Sequence, residues 1–199
     1  MQFPLLFVIL CTENKLLDRS STMLFKEFKG NVEIGKSEHD MLKSCLGVDP
    51  LRALFHYVHI DSESSKVTAT NGRILIQYTI PTPITVDGWY EPAKVGKKYL
   101  LLPVNSDVQP PDSSRVVPEN ATCKMEAINL SGKSADVDKD SQQICEMILK
   151  TNSLINLDFL WRLKNLPDVN MYADKPDKAI MFTASGIVYI IMPMVKYED

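Results

Sequence analysis

The side chains best suited to catalysis or metal binding are few and poorly spaced. The 199-residue chain has three histidines, His39, His56 and His59. His56 and His59 differ by an odd number, so in a strand they point to opposite faces and do not hold one metal ion. The cysteines show no CxxC spacing, and no Ser-His-Asp motif, phosphate loop, dinucleotide fingerprint or HExxH motif occurs. The sequence therefore predicts a non-enzymatic protein without a cofactor or metal.

The chemistry that the sequence does offer is apolar binding. Residues 187–194 read Ile-Val-Tyr-Ile-Ile-Met-Pro-Met, so seven of the eight are apolar and the other is proline. Residues of these types favour a buried strand, and Pro193 lacks a ladder donor, so the chain is expected to leave the sheet there or lie at its edge. The soft, polarizable side chains of Met192 and Met194 serve either as core filler or as an adaptable docking surface.

Composition and charge narrow the function classes. A net charge of −3 and a pI of about 5.7 argue against nucleic-acid binding through overall basicity. The scattered cysteines suggest reduced thiols and a cytoplasmic protein. The apolar run from Phe3 to Cys11 is too short to span a bilayer, and no basic residue precedes it. Residues 1–22 are treated as an N-terminal extension, either a buried first strand or sequence upstream of a start at Met23, and no membrane association is expected.

Hydrophobic periodicity predicts a strand, a helix and three strands in the first part of the chain. Ser37 is the predicted N-cap of the helix, with Asp40 in capping-box position and Gly47 near its end. Asn71-Gly72 is a two-residue turn signal between the last two strands. The predicted strands are residues 23–34, 51–60, 66–70 and 74–80.

The last part of the chain repeats this pattern. Asn156 is the predicted N-cap of a helix over residues 157–166 that Pro167 ends. The predicted strands are residues 144–150, 169–172, 178–183 and 187–194. Between the two parts, residues 81–144 are rich in proline and polar residues, with one obvious strand at 99–102, and are expected to be an irregular insert. The predicted fold class is α+β: one domain over residues 23–199, built from a duplicated strand-helix-three-strand unit.

Four stretches carry a further pattern. Residues 69–75 are Ala-Thr-Asn-Gly-Arg-Ile-Leu, residues 111–118 are Pro-Asp-Ser-Ser-Arg-Val-Val-Pro, and the chain later shows Ile155–Leu163 and Tyr189–Val195. In this order they resemble the turn, the linker, the helix start and the methionine-proline-methionine tail of the bacterial DNA polymerase III β subunit, the replicative sliding clamp. The resemblance implies a processivity-clamp-like fold and a role as a DNA replication or repair accessory protein.

In that family the turn, linker and tail line a hydrophobic pocket for short peptides of polymerases, the clamp loader and repair proteins. The resemblance implies the same partners here. Carried over by position, the pocket residues are Thr70, Gly72, Leu75, Pro111, Val116, Ile190, Met192, Pro193 and Met194. The alternative is that these residues are ordinary core and turn residues of a diverged relative.

The resemblance also implies double-stranded DNA and further copies of the chain as partners. The candidate DNA contacts are Arg162 and Lys164 of the second predicted helix, together with Arg73, which is chosen for its charge. The predicted helices carry few cations beside their acidic residues, however, which argues against a closed ring around DNA. Two departures from the family are Ile74, where the turn has arginine, and Val195-Lys196, where the tail has arginine-leucine. The alternative function is a secreted or envelope interaction protein with a clamp-like fold and no role in replication.

Overall fold

The computed structural model of the protein describes residues 25–47, 52–80, 84–110, 112–118, 121–128, 155–163, 166, 168–174 and 178–194. Its strands are β1 (Phe25–Phe28), β2 (Asn31–Ile34), β3 (Val58–Asp61), β4 (Lys66–Thr70), β5 (Ile74–Thr79), β6 (Gly88–Val95), β7 (Lys98–Val104), β8 (Thr122–Ile128), β9 (Val169–Ala173), β10 (Ile180–Ala184) and β11 (Ile187–Ile191). The described helices are α1 (Lys36–Ser44) and three 3₁₀ helices, Ala53–His56, Ser113–Arg115 and Leu157–Leu163.

All described strands form one antiparallel sheet in the order β1-β2-β7-β6-β3-β4-β5-β11-β10-β9-β8. The pairing of β5 with β11 lies inside the sheet and joins the early part of the chain to the late part. In this pair Ile76 lies opposite Tyr189, and Leu75 lies opposite Ile190. Within the described residues the fold is therefore mostly antiparallel sheet with one α-helix, and the predicted α+β class overstates its helical content.

The main core lies on one face of the sheet. Alternate residues of β5, such as Ile76 and Tyr78, are buried there together with Tyr189. Leu42 of α1 and Leu163 of the late 3₁₀ helix belong to the same core. Both helical segments therefore cover this face.

The single strand predicted over residues 23–34 is a hairpin. Lys29 and Gly30 both adopt positive φ, 50° and 78°, between β1 and β2. Two consecutive residues with positive φ are the geometry of a tight hairpin turn. The prediction missed it because lysine is not a common residue in the first position of such a turn.

The two predicted helices also differ from the structure. Helix α1 begins at Lys36 with Gly35 as N-cap and no capping side chain, so the predicted cap at Ser37 is wrong. The segment after Asn156 is a 3₁₀ helix that ends at Leu163, whereas an α-helix to residue 166 was predicted. Asn156 does cap it, because its Oδ1 accepts a hydrogen bond from the Asp158 N–H at 2.9 Å.

The segment predicted as an irregular insert contains regular structure. β6 and β7 form a hairpin inserted between β2 and β3, and β8 follows later. Pro92 lies within β6 but beyond Tyr90, the last β6 residue that pairs with β3. A proline is tolerated where one side of the strand is unpaired, so the prolines were a misleading signal.

Several predictions fall outside the described residues. They include the extension over residues 1–22, the end of the predicted insert after residue 128 and the strand over residues 144–150. The division into an extension, a domain over residues 23–199 and an insert remains a prediction. In the parts of the chain that the structure describes, no helix has the length and apolar character needed to cross a membrane.

Candidate functional site

The turn between β4 and β5 is held by its own side chains. The Thr70 hydroxyl donates to the Ile74 carbonyl oxygen at 2.7 Å and accepts from the Gly72 N–H at 3.0 Å. The Asn71 Oδ1 accepts from the N–H groups of Arg73 and Ile74 at 2.9 and 3.0 Å. Gly72 and Arg73 occupy the centre of the turn, one place later than the predicted Asn71-Gly72 pair. The result is a backbone fixed by four local hydrogen bonds.

Gly72 allows this turn to pack closely on Phe55. Its φ is +83°, and a Cβ added there would lie 2.9 Å from Phe55 Cζ. Phe55 is itself fixed, because its carbonyl oxygen accepts the Gly47 N–H at 2.7 Å. Glycine is thus required by both conformation and space.

The end of β11 runs alongside the same turn. β11 ends at Ile191, and the Met192 N–H donates to the Arg73 carbonyl oxygen at 2.8 Å. The regular strand stops two residues before Pro193, in agreement with the prediction that proline would end pairing there. Met194 lies beyond it with 51% of its surface exposed. A flexible apolar side chain is therefore presented to solvent beside the turn.

The late 3₁₀ helix supplies a third wall through Asn156 and Phe159. The Phe159 N–H donates to the Asn156 carbonyl oxygen at 3.2 Å. The Phe159 carbonyl oxygen accepts from the buried Tyr189 hydroxyl at 3.2 Å, which ties the helix to β11. Burial raises the pKa of that hydroxyl above its ordinary value, so it stays protonated and able to donate.

These three segments enclose a cleft of about 420 Å³. Its lining consists of Gly72, Arg73, Asn156, Phe159, Met192, Pro193 and Met194. This volume falls in the range of ligand pockets, about 300–1,000 Å³. An apolar wall with two polar side chains suits an apolar segment of a partner better than it suits catalysis.

The predicted pocket residues divide into three groups. Gly72, Met192, Pro193 and Met194 line the cleft. Thr70 holds the turn, and Leu75 and Ile190 are buried opposite one another in the adjoining strands. Val116 is half-buried in the linker and is not part of the lining, and Pro111 lies outside the described residues.

The linker is ordered by Asp112. Its carboxylate accepts from the Ser114 N–H and hydroxyl and from the Arg115 Nε, the last at 3.0 Å. These bonds, chiefly that from the Ser114 hydroxyl, lower the pKa of the Asp112 carboxyl. The Gln77 Nε2 donates a hydrogen bond to the Ser113 hydroxyl at 3.4 Å, so the linker lies against β5. A smaller, polar cleft of about 240 Å³ lies beside this contact.

The predicted DNA contacts lie in different surroundings. Arg73 is exposed in the cleft wall. The Arg162 guanidinium lies 5.3 Å from the centre of the Phe159 ring, and its Nη1 is buried without a hydrogen-bond partner in the described structure. Lys164 lies outside the described residues. Arg162 therefore faces protein more than solvent, and a DNA contact there remains a prediction.

Three lining residues were not predicted for the pocket: Arg73, Asn156 and Phe159. The signal for the last two was present, since they fall in the stretch that resembles the family's helix start. The prediction of an α-helix over residues 157–166 gave no reason to place Asn156 and Phe159 beside the tail. Within the described residues, no group of three His, Cys, Asp or Glu side chains is placed to hold a metal ion.

Comparison with known proteins finds matches among solved structures but not among sequences. No protein-family model matches the sequence, and no curated protein matches it. Solved structures of the DNA polymerase III β subunit do match. The structure from Borrelia burgdorferi, in complex with a natural product, has a TM-score of 0.56 and 10% identity over 86% of this chain and 64% of that one.

Two further β subunits match similarly. That of Thermotoga maritima has a TM-score of 0.55 and 11% identity, over 90% of this chain and 69% of that one. That of Pseudomonas aeruginosa has a TM-score of 0.53 and 12% identity, over 85% and 68%. The chain thus spans about two thirds of these proteins, and less than two thirds of the Borrelia burgdorferi subunit. Its fold is that of the DNA polymerase sliding clamps.

Proposed function

We propose that the protein is a sliding-clamp-like accessory of DNA replication or repair that binds peptide segments of its partners in the cleft. The observation that carries this proposal is the convergence of three segments far apart in the chain. The turn at Gly72, the helix start at Asn156 and the tail at Met192–Met194 meet around one apolar cleft. Each had been singled out in sequence by its likeness to the sliding-clamp family.

The cleft chemistry suits an extended peptide with apolar side chains. Burying one Leu or Phe side chain contributes about 1.5–3 kcal/mol, and association costs offset much of the total. Two or three such side chains contribute about 3–9 kcal/mol before those costs, so binding is expected to be reversible and weaker than a Kd of about 1 μM. Methionine walls adapt to different apolar shapes, which suits a surface shared by several partners. No catalytic step is assigned to the cleft.

We further propose that the sheet contains two related units. In each unit a helical segment precedes three strands: α1 precedes β3, β4 and β5, and the late 3₁₀ helix precedes β9, β10 and β11. The last strands of the two units are paired with each other. This arrangement supports the helix-three-strand part of the predicted duplication, while the predicted first strand of the second unit, residues 144–150, lies outside the described residues.

Contact with DNA and assembly of several copies are part of the same proposal. The DNA contact is expected to be weak, because only a few lysine and arginine side chains can contribute to it. It is expected to be sensitive to salt, because contacts between these side chains and phosphates are ionic. Light scattering with and without primed circular DNA measures both properties. A monomer in both conditions would contradict the assembly of several copies, while leaving peptide binding to be judged separately.

The peptide site is tested by replacing Met192 and Met194 with alanine. Both side chains are at least partly exposed, so the melting temperature is expected to change little. Fluorescence anisotropy of a labelled peptide carrying a bacterial clamp-binding motif is expected to show at least a tenfold loss of affinity, equivalent to about 1.4 kcal/mol. Val95→Ala, at an exposed apolar residue outside the cleft lining, is the matched control. Undiminished binding by the double variant would disprove the site.

A further inference from the structure

A row of polar side chains crosses the face of the sheet opposite the main core. His59 of β3, Thr68 of β4 and Gln77 of β5 lie opposite one another in the strand register. Thr68 and Gln77 are buried, with 8% and 7% of their surface exposed. Burying polar groups is costly unless they find hydrogen-bond partners. This row forms the floor of the polar cleft of about 240 Å³ beside the linker.

The polar cleft is covered by chain that is fastened to the sheet at two points. Trp89 of β6 is the next member of the row, and its indole N–H donates to the Val108 carbonyl oxygen at 2.7 Å. At the other end the Gln77 Nε2 donates to the Ser113 hydroxyl at 3.4 Å. Pro110 and Ser113 line the polar cleft. The space therefore lies between two parts of the fold whose positions are fixed.

The groups in this space that remain available are mostly hydrogen-bond donors. The Gln77 Nε2 donates to the hydroxyls of Thr68 and Ser113, at 3.1 and 3.4 Å. A hydroxyl has one donor and two acceptor positions, so each of these hydroxyls keeps its own proton to donate elsewhere. Lys66 also lines the polar cleft, and no carboxylate of the described residues lies within ion-pair distance of its ammonium.

Asp61 is the one carboxylate in the lining of the polar cleft. It lies opposite Lys66 in the strand register, but it is engaged by Ser64. Its Oδ2 accepts from the Ser64 hydroxyl at 2.6 Å, and its Oδ1 accepts from the Ser64 N–H at 3.2 Å. These bonds, chiefly that from the hydroxyl, lower the pKa of the Asp61 carboxyl. Its negative charge therefore opposes a bound anion, and its removal should strengthen anion binding.

We propose that the polar cleft binds a small oxyanion of the phosphate type, held by the Lys66 ammonium and by the hydroxyls of Thr68 and Ser113. A ligand that satisfies one cation and two O–H donors must bring several acceptor oxygens and negative charge. Hydrogen bonds between such groups and an oxyanion are charge-assisted and therefore strong. The polar cleft shares no lining residue with the cleft at Met192 and Met194, so this proposal does not depend on peptide binding.

His59 should make anion binding depend on pH. Burial lowers its pKa against the charges of Asp61 and Asp87, so the imidazole is mostly neutral near pH 7. Lys66 is the other charged group of the lining, and on the β6 side His59 meets the uncharged Trp89 ring at 5.0 Å between centres. A nearby anion favours the protonated imidazole. Anion binding should therefore become tighter as pH falls from 8 to 6.

The test is an NMR titration of the full chain with inorganic phosphate, with ionic strength kept constant by exchange against sodium chloride. The Gln77 side-chain amide and the Ser113 backbone amide should show saturable shifts. The expected Kd is on the order of 1 mM, because a few charge-assisted bonds are offset by association costs. Methyl phosphate in a parallel titration distinguishes a phosphate ester, if it binds more tightly, from the free ion.

Variants then identify the groups that hold the anion. Lys66→Gln should weaken phosphate binding by about fivefold, whereas Asp61→Asn should strengthen it by about twofold. A gain in affinity is not a consequence of lost folding, so the opposite signs separate charge from stability. Lys26→Gln, at an exposed lysine of β1 outside the lining, is the matched control and should bind as wild type does.

Sulfate serves for the pH series because its charge is constant between pH 6 and 8. Tighter sulfate binding at pH 6 that is lost in His59→Gln supports the role of His59, and a pH-independent affinity overturns it. Shifts at Gln77 and Ser113 that do not saturate overturn the site. Saturable binding that is unchanged in both Lys66→Gln and Asp61→Asn also overturns it. Loss of peptide binding in the Met192 and Met194 double variant leaves phosphate binding unchanged if the two sites are separate.

Discussion

The two helical segments over the core contrast in what they present on their outer side. Leu42 of α1 and Leu163 of the late 3₁₀ helix are both fully buried in the same core. The outer side of α1 carries exposed charged residues such as Lys36 and Asp40. The outer side of the 3₁₀ helix carries Asn156 and Phe159, which line the cleft. Helix α1 covers the sheet, whereas the late 3₁₀ helix covers the sheet and also lines the cleft.

The 3₁₀ geometry explains how the second segment does both. A 3₁₀ helix has three residues per turn, so residues i and i+3 are eclipsed. Asn156, Phe159 and Arg162 therefore form one column, consistent with the Arg162 guanidinium lying 5.3 Å from the Phe159 ring centre. Leu160 and Leu163 form another column, which is buried. In an α-helix, with about 3.6 residues per turn, each column would wind around the axis. The 3₁₀ geometry instead keeps the cleft-lining column and the buried column on separate sides of the helix.

The sharpest test of this contrast is truncation of the two buried leucines. Leu42→Ala and Leu163→Ala should each lower the free energy of unfolding by about 2–5 kcal/mol, through lost burial and the cavity left behind. Urea unfolding measures this loss. In conditions where both variants remain folded, only Leu163→Ala should also weaken peptide binding, because Leu163 lies in the same 3₁₀ helix as Phe159. Equal effects on binding would show that the two segments do not differ in function.

The two segments meet at Cys45, the C-cap of α1. Burial raises the pKa of its thiol from 9.0 to about 11, against opposing interactions with the Ser44 hydroxyl and the Arg162 guanidinium. The folded state holds this proton more tightly than the unfolded state does. Its contribution is therefore fully present below pH 9 and is lost as pH rises towards about 11, by about 2–3 kcal/mol.

Chemical unfolding from pH 8 to 10.5 measures this loss. Cys45→Ala should reduce the alkaline slope, and some slope should persist because burial also raises the pKa of Tyr78 and Tyr189. Cys123→Ala, which removes an exposed thiol, is the matched control variant. An identical slope in Cys45→Ala and wild type would place the thiol outside this effect.

The contrast extends to two hairpin turns. Gly30 and Gly72 have similar positive φ values, 78° and 83°, but a Cβ on Gly30 meets nothing within 4 Å, whereas one on Gly72 meets Phe55 at 2.9 Å. Left-handed backbone in a non-glycine residue costs about 1–3 kcal/mol. Gly72→Ala should therefore lower the melting temperature more than Gly30→Ala does, and only Gly72→Ala should reduce peptide affinity. Similar losses of stability would mean that Phe55 moves aside freely.

The smallest expected effect concerns the helix caps. Asn156→Ala removes the bond to the Asp158 N–H and should lower the free energy of unfolding by about 1 kcal/mol. Ser37 makes no capping bond in α1, so Ser37→Ala should change stability by no more than about 0.5 kcal/mol. Thermal unfolding distinguishes the two. A larger loss for Ser37→Ala would contradict the position of Gly35 as the cap.

The sequence predicted the central strands well because their patterns are strong. β4 and β5 carry alternating or apolar patterns on either side of the Asn71-Gly72 signal. The final apolar run became β11, paired inside the sheet. The glycine and methionine lining residues were predicted through the family resemblance. The resemblance depended on the order of four motifs along the chain, and residues of three of these motifs line the cleft.

What the sequence did not predict depends on choices between similar local patterns. The helix predicted over residues 157–166 assumed about 3.6 residues per turn, whereas the actual column of Asn156, Phe159 and Arg162 follows a period of three. Prolines hid the β6–β7 hairpin because their cost depends on which side of the strand is paired. Arg73 was assigned to DNA by its charge alone, since its distance from Met192 appears only when β5 and β11 pair.

That pairing also determines when the cleft can exist. Residues such as Ile74 and Ile191 lie opposite one another although they are more than a hundred positions apart in the chain. Contacts of such long range close large loops and form slowly. The methionine wall follows β11 directly, so it has no partner turn until this last described strand has docked. During synthesis the proposed peptide site would thus be absent until β11 has paired with β5, and peptide binding, as proposed, would report that this pairing has formed.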